Sequence, residues 1–193
     1  MITQVRGRLV EKSPTAVVID CNGIGYFIHI SLHTFSQLTD NESIKLLTHL
    51  QVKEDSHQLY GFATAMEREI FRLLISVSGI GTNTARTMLS SLTPKQVREG
   101  IASEDVALIQ SVKGIGLKTA QRVIIDLKDK ILKIYDIDET LSLSNNTNKD
   151  EALSALEVLG FAKKQSERIV VKILSYSPDA SVEFLIKEAL KNL

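Results

Sequence analysis

The residues whose type and spacing suit chemistry are concentrated in one phrase that occurs twice. Residues 76–85 read SVSGIGTNTA and residues 111–120 read SVKGIGLKTA, seven identities in ten at an offset of 35. Gly79 and Gly114 suit a turn that needs positive φ, while Gly81 and Gly116 leave the backbone bare for close approach of another molecule. Ile80 and Ile115 are expected to point inward and pin each turn. An apolar segment precedes each phrase and an apolar-periodic stretch follows it, so each reads as helix, glycine hairpin, helix. The second helix of such a unit presents unpaired N–H groups at its positive dipole end, which is chemistry for an anion, phosphate above all. Amides read no bases, so the pair would hold a nucleic-acid backbone without choosing sequence. The plainer alternative is a helix C-cap followed by a turn.

Around the hairpins stand Thr82 and Asn83 after the first, and Lys118 and Arg122 after the second. Lys118 and Arg122 are four apart on one helix face, placed either to reach phosphates or simply to be solvated. Elsewhere, Glu54 and Asp55 form an adjacent acidic pair at an expected hairpin tip. Three uses are open to them: a solvated turn, a catalytic or metal pair, or repulsion of phosphates that approach in the wrong geometry. The second is disfavoured because neighbours in a turn diverge and no third ligand is evident.

Several functions are excluded by pattern. A dinucleotide fingerprint needs a third glycine where Thr84 and Thr119 stand, and a Walker A loop is interrupted by Leu117 in Gly116-Leu117-Lys118-Thr119. One cysteine, Cys21, and four histidines support neither a disulfide framework nor a zinc site, so no cofactor or metal is expected. There is no apolar run long enough to span a membrane and no signal-peptide layout at Met1–Arg6, and the single Cys21 fits a reducing cytoplasm. Formal net charge is zero over 193 residues, yet it is unevenly spread. Residues 1–63 carry −1, residues 64–135 carry +4 and residues 136–193 carry −3, so the cationic excess lies with the hairpins.

The elements that must position these groups fall into four segments. Residues 1–63 read as five short strands, with Asn22-Gly23 as a hairpin turn and one helical turn near Thr34–Leu38, a small Greek-key barrel of the OB type. Residues 64–135 read as all helix: a capping box at Thr64 and Glu67, another at Thr93 and Gln96 with Pro94 between, Ser103 as a further cap, and a last helix from about Leu117 to Ile134. Residues 136–149 lack a sustained apolar period and read as a flexible linker. Residues 150–193 read as a three-helix bundle, UBA-like, with Asp150 as a cap, Gly160 as a stop, and an apolar patch left outside for a partner protein. The whole is a multidomain α+β chain.

Arg6-Gly7, Gly23-Ile24-Gly25-Tyr26, Lys53-Glu54-Asp55, Leu59-Tyr60-Gly61-Phe62, the two hairpins and Pro178-Asp179-Ala180 occur in that order along the chain. With this layout the sequence resembles, over essentially its full length, the RuvA family of DNA-binding subunits of the bacterial Holliday junction branch-migration complex. The resemblance implies a homotetramer holding a four-way junction open and near planar in recombination and repair, with one or two tetramers per junction left open. It implies that Glu54 and Asp55 are an acidic pin at the junction centre. Gly79, Gly81, Thr82, Asn83, Gly114, Gly116, Lys118 and Arg122 would hold the arms. The tail would recruit the RuvB ATPase, through Leu156, Leu159 and Phe161, in a complex that also takes the RuvC resolvase, and ATP hydrolysis would belong to the partner. The chain departs from the family at Thr82-Asn83 and Leu117, where basic residues are common. The alternative is a helix-hairpin-helix repair enzyme such as a base-excision glycosylase. Its catalytic Asp would have to be Asp136 or Asp138, in the unsuitable context Tyr-Asp-Ile-Asp-Glu.

Overall fold

At Asn22-Gly23 the chain takes φ of 54° and 90°, the left-handed pair that a two-residue hairpin requires. The Gly23 N–H donates to Asp20 Oδ1 at 2.7 Å and fixes the turn. The computed structural model describes residues 1–39, 43–142, 148–178 and 180–193, with side chains for all of these except 133–142. It divides into two units, Met1–Asp136 and Ile137–Leu193.

Five strands open the first unit: β1 (Gln4–Ser13), β2 (Ala16–Cys21), β3 (Ile24–Ile30), β4 (Ser43–Val52) and β5 (His57–Phe62). They close into a barrel in the order β1-β2-β3-β5-β4. Only the β3–β5 pairing is parallel. Alternation along the strands turns Val17, Ile19, Ile28, Ile30 and Leu46 into the barrel core, as period-two patterning requires. A one-turn helix, α1 (Leu32–Gln37), leaves β3 with Ser31 as its N-cap.

Helices follow: α2 (Ala65–Ile75), α3 (Thr82–Ser91), α4 (Pro94–Ala102), α5 (Val106–Gln110) and α6 (Leu117–Ser142). The change at residue 63 marks a change of secondary structure and not a break in packing. Tyr60 and Phe62 of β5 belong to the same core as Ile70, Phe71 and Leu74 of α2. Their rings pack tilted against Phe71 at 5.2 and 4.9 Å between centroids. The seam is also polar. Buried Glu67 accepts hydrogen bonds from the hydroxyls of Ser31 and Thr34, the latter at 2.6 Å. The capping box expected at Thr64 is therefore only half formed. Thr64 accepts from the Glu67 N–H, while the Glu67 carboxylate is drawn toward α1. The box at Thr93 and Gln96 is complete.

Three boundaries differ from the sequence reading. Ser103 ends α4 and does not begin α5; Glu104 takes φ of 59° between them and Asp105 becomes the cap, its Oδ1 accepting from the Leu108 N–H at 2.9 Å. Helix α6 continues to Ser142, through the first half of the expected linker. Residues 136–142 contain no Gly or Pro, and extending an existing helix avoids the cost of a new nucleus, so an apolar period is not needed. The rest of that linker, 143–147, lies outside the described residues. Asn148 and Lys149 already belong to α7 (Asn148–Val158), which places Asp150 in its first turn and not at a cap.

Helices α8 (Lys163–Tyr176) and α9 (Val182–Asn192) complete the second unit. Gly160, at φ of 95°, ends the turn after α7, and Ser181 caps α9. Ala152, Leu156, Val170, Ile173, Leu185 and Ala189 make a core of its own.

Candidate nucleic-acid interface

The two glycine phrases fold alike, bond for bond. Ser76 and Ser111 close the preceding helices by donating their hydroxyls to Leu73 O and Leu108 O, both at 2.7 Å. The Ile80 N–H donates to Val77 O at 3.0 Å, and the Ile115 N–H to Val112 O at 3.1 Å. Ile80 and Ile115 are buried, as expected from their place between two glycines. Gly79 and Gly114 take φ of 95° and 92°, a region that a side chain strains. Each following helix then starts the same way, with Ala85 N–H donating to Gly81 O at 3.0 Å and Ala120 N–H to Gly116 O at 2.9 Å.

Gly81 is the N-cap of α3 and no side chain caps the helix there. A Cβ added at Gly81 or Gly116 would meet nothing within 4 Å. Internal packing therefore does not require these two glycines, and the space a side chain would fill lies outside the protein. Lys113, Lys118 and Arg122 are exposed around the second turn, and Asn83 beside the first. Arg122 Nη1 donates to Ser78 O at 3.3 Å, so a cation from α6 reaches the first hairpin. That contact joins residues 44 apart in the chain and links the two copies, and no helical spacing in the sequence signals it.

Thr82 is half-buried and faces the barrel: its hydroxyl lies 2.9 Å from the Tyr60 hydroxyl, which also bonds Gln58 Oε1 at 2.8 Å. Arg86, one turn along α3, donates to Thr15 O at 3.2 Å and sits 3.3 Å from His29 Nδ1. Burial, then the Arg86 charge, lowers the His29 pKa below 6.5, so the neutral ring can accept at Nδ1. No spacing in the sequence places Tyr60, Gln58, Arg86 and His29 beside the first hairpin and α3. The Leu59-Tyr60-Gly61-Phe62 phrase was the one available signal, and it names a position without a contact.

Glu54 and Asp55 form the exposed tip between β4 and β5. The Lys53 N–H closes that turn on Ser56 O at 2.8 Å, and the Ser56 hydroxyl donates to Asp55 Oδ1 at 3.2 Å. Among the described residues, no group of three or more His, Cys, Asp or Glu is placed to hold a metal ion. No helix among them is long and apolar enough to cross a membrane.

In the second unit the expected partner patch needs correction. Leu156 is fully buried, Phe161 packs partly buried on the same core, and only Leu159 is exposed, at 57%. Residue 156 shares its helix face with Ala152 and Leu153, which turn to the core, so it cannot also face outward. At the end of α7, Val158, 86% exposed, and Leu159 face outward and line a shallow groove with Ala155 and Ile186.

A barrel whose β5 reaches into the core of twin helix-hairpin-helix turns, followed by a helical unit with a core of its own, defines the class: a multidomain α+β protein built on a tandem helix-hairpin-helix module. Residues 1–61 match the RuvA N terminal domain, 71–129 the SAM-like helix-hairpin-helix tandem, and 147–193 the RuvA C-terminal domain. The chain is 64% identical to a protein of Flavobacterium psychrophilum and 65% identical to one of Christiangramia forsetii, in each case over all of both chains. A relative from Cytophaga hutchinsonii is 52% identical over 99% of each. All three are named Holliday junction branch migration complex subunit RuvA. The chain belongs to the RuvA family.

Proposed function

We propose that this protein binds four-way junction DNA by shape, through its phosphates, and serves as the DNA-binding subunit of a branch-migration complex. The observation that carries the reading is the duplicated hairpin. Two bare amide turns of the same geometry are coupled by Arg122, in the cationic segment of a chain matched end to end by subunits of that name. Backbone amides and a few cations hold sugar-phosphate chains without base readout, which suits a substrate defined by geometry. Gly79, Gly81, Asn83, Gly114, Gly116, Lys118 and Arg122 would grip the arms, and Thr82 would contribute its N–H.

Glu54 and Asp55 act on this reading as a pin. Exposed at a closed turn, four pairs around a homotetramer would repel phosphates at the crossover and disfavour ordinary duplex. The second unit recruits the RuvB ATPase through the groove at Ala155, Val158, Leu159 and Ile186, and hydrolysis belongs to that partner; RuvC joins the same assembly. The glycosylase alternative is not favoured, because the relatives match over the whole length and carry another name.

The test is a gel-shift comparison of a four-way junction with a linear duplex of equal length across salt. A strong junction preference is expected, with log K falling by about 0.9 per log unit of salt for each phosphate neutralised. Equal affinity for the two substrates would sink the reading. Incision of damaged DNA would revive the enzyme.

A further inference from the structure

Tyr60 has a hydroxyl that the barrel does not need. Its ring is 1% exposed and stacks between Phe71, at 5.2 Å, and His29, at 5.4 Å, so phenylalanine would fill the same space. The hydroxyl instead emerges at the seam and meets two side chains, Gln58 Oε1 at 2.8 Å and Thr82 Oγ1 at 2.9 Å. A phenol has one hydrogen to give and Gln58 Oε1 only accepts, so Tyr60 donates to Gln58 and Thr82 donates to Tyr60. Thr82 is the first residue of α3, within the amide turn of the first hairpin. Gln58 and Tyr60 lie on β5, the strand that leaves the Glu54-Asp55 turn.

We infer that Tyr60 is a positioning residue. The Gln58–Tyr60–Thr82 chain sets the first hairpin's amides in register with the strand that carries the acidic turn. The second hairpin supplies the comparison within the same molecule. Leu117 occupies the place of Thr82 there, 50% exposed and without a hydroxyl, so that turn has no such tether. The Thr82 hydroxyl hydrogen is spent on the barrel, and only its N–H remains for a phosphate. The consequence for DNA rests on the function proposed above, whereas the tether itself does not.

The experiment is Tyr60→Phe, with Thr82→Val as the second variant, in the full chain. Gln58 and Thr82 are only half-buried, so water replaces the lost partner and the melting temperature should stay within about 2 °C of the parent. Amide hydrogen exchange in the DNA-free protein reads the tether. The Ala85 N–H, bonded to Gly81 O, should exchange roughly fivefold faster, while its counterpart at Ala120 is unchanged. Four-way junction affinity should fall about threefold to tenfold, and the double variant should be no weaker than either single one. Equal exchange changes at Ala85 and Ala120, or none at either, would overturn the inference, as would additive losses in the double variant. If the parent protein binds no junction, the proposed function fails, and the exchange comparison still decides the tether.

Discussion

Glu67 and the Glu54-Asp55 pair show how the surroundings decide what a carboxylate does. Glu67 is fully buried and serves two hydroxyls across the seam between barrel and helices. Glu67→Ala would strand both donors and should lower the stability of the first unit by about 3 kcal/mol. Its melting temperature should drop by about 10 °C, with Glu67→Gln falling between. A melting curve that does not move would mean the hydroxyls find other acceptors. The exposed pair should behave in the opposite way. Glu54→Gln with Asp55→Asn should leave melting unchanged, tighten linear duplex binding and erode the junction preference. An unaltered ratio of junction to duplex affinity would remove the pin.

At the scale of elements, each hairpin contains one glycine whose positive φ the fold requires and one that internal packing does not require. Gly79→Ala or Gly114→Ala forces a side chain into φ near +90° and should cost about 1–2 kcal/mol of stability. Gly81→Ala or Gly116→Ala meets open space, so stability should hold within about 0.5 kcal/mol while DNA affinity falls. Binding titrations beside melting curves separate the two, and a Gly81→Ala protein with full affinity would show that nothing approaches there. Packing between strands and helices also fixes a pH response. Burial and Arg86 lower the His29 pKa; burial and Arg72, opposed by Glu69, lower that of His49. Both stay neutral in the fold after the unfolded chain has begun to take up protons. Their stabilising contribution is therefore complete above 6.5 and is lost as pH falls from there toward the lowered values. Melting temperatures from about pH 7.5 to about pH 5.5 should fall less steeply in His29→Gln than in the parent. Parallel slopes would show that His29 does not contribute.

For the whole molecule, the second unit's own core, distinct from the barrel and helical cores of the first, predicts independent behaviour. A chain ending at Ser142 retains the barrel and helical core intact and loses only the core made by α7, α8 and α9. It should bind junction DNA as the full chain does, show one melting transition where the full chain shows two, and fail to stimulate the ATPase partner. Loss of junction binding on truncation would place part of the DNA site in the second unit.

Much of this protein was legible in its sequence because its signals are local. Period-two alternation in β3, Asn22-Gly23, the box at Thr93 and Gln96, and the two glycine phrases each act within a few residues, where sterics and backbone hydrogen bonding leave little choice. What the tertiary structure alone decided depends on groups distant in the chain meeting. Glu67 left its cap for α1, Arg122 reached Ser78, Tyr60 met Thr82, and Leu156 turned to a core that Val158 does not share. The three polar cases are competitions between partners of similar worth, settled by which one packing brings within about 3 Å, and chain order carries no record of that distance.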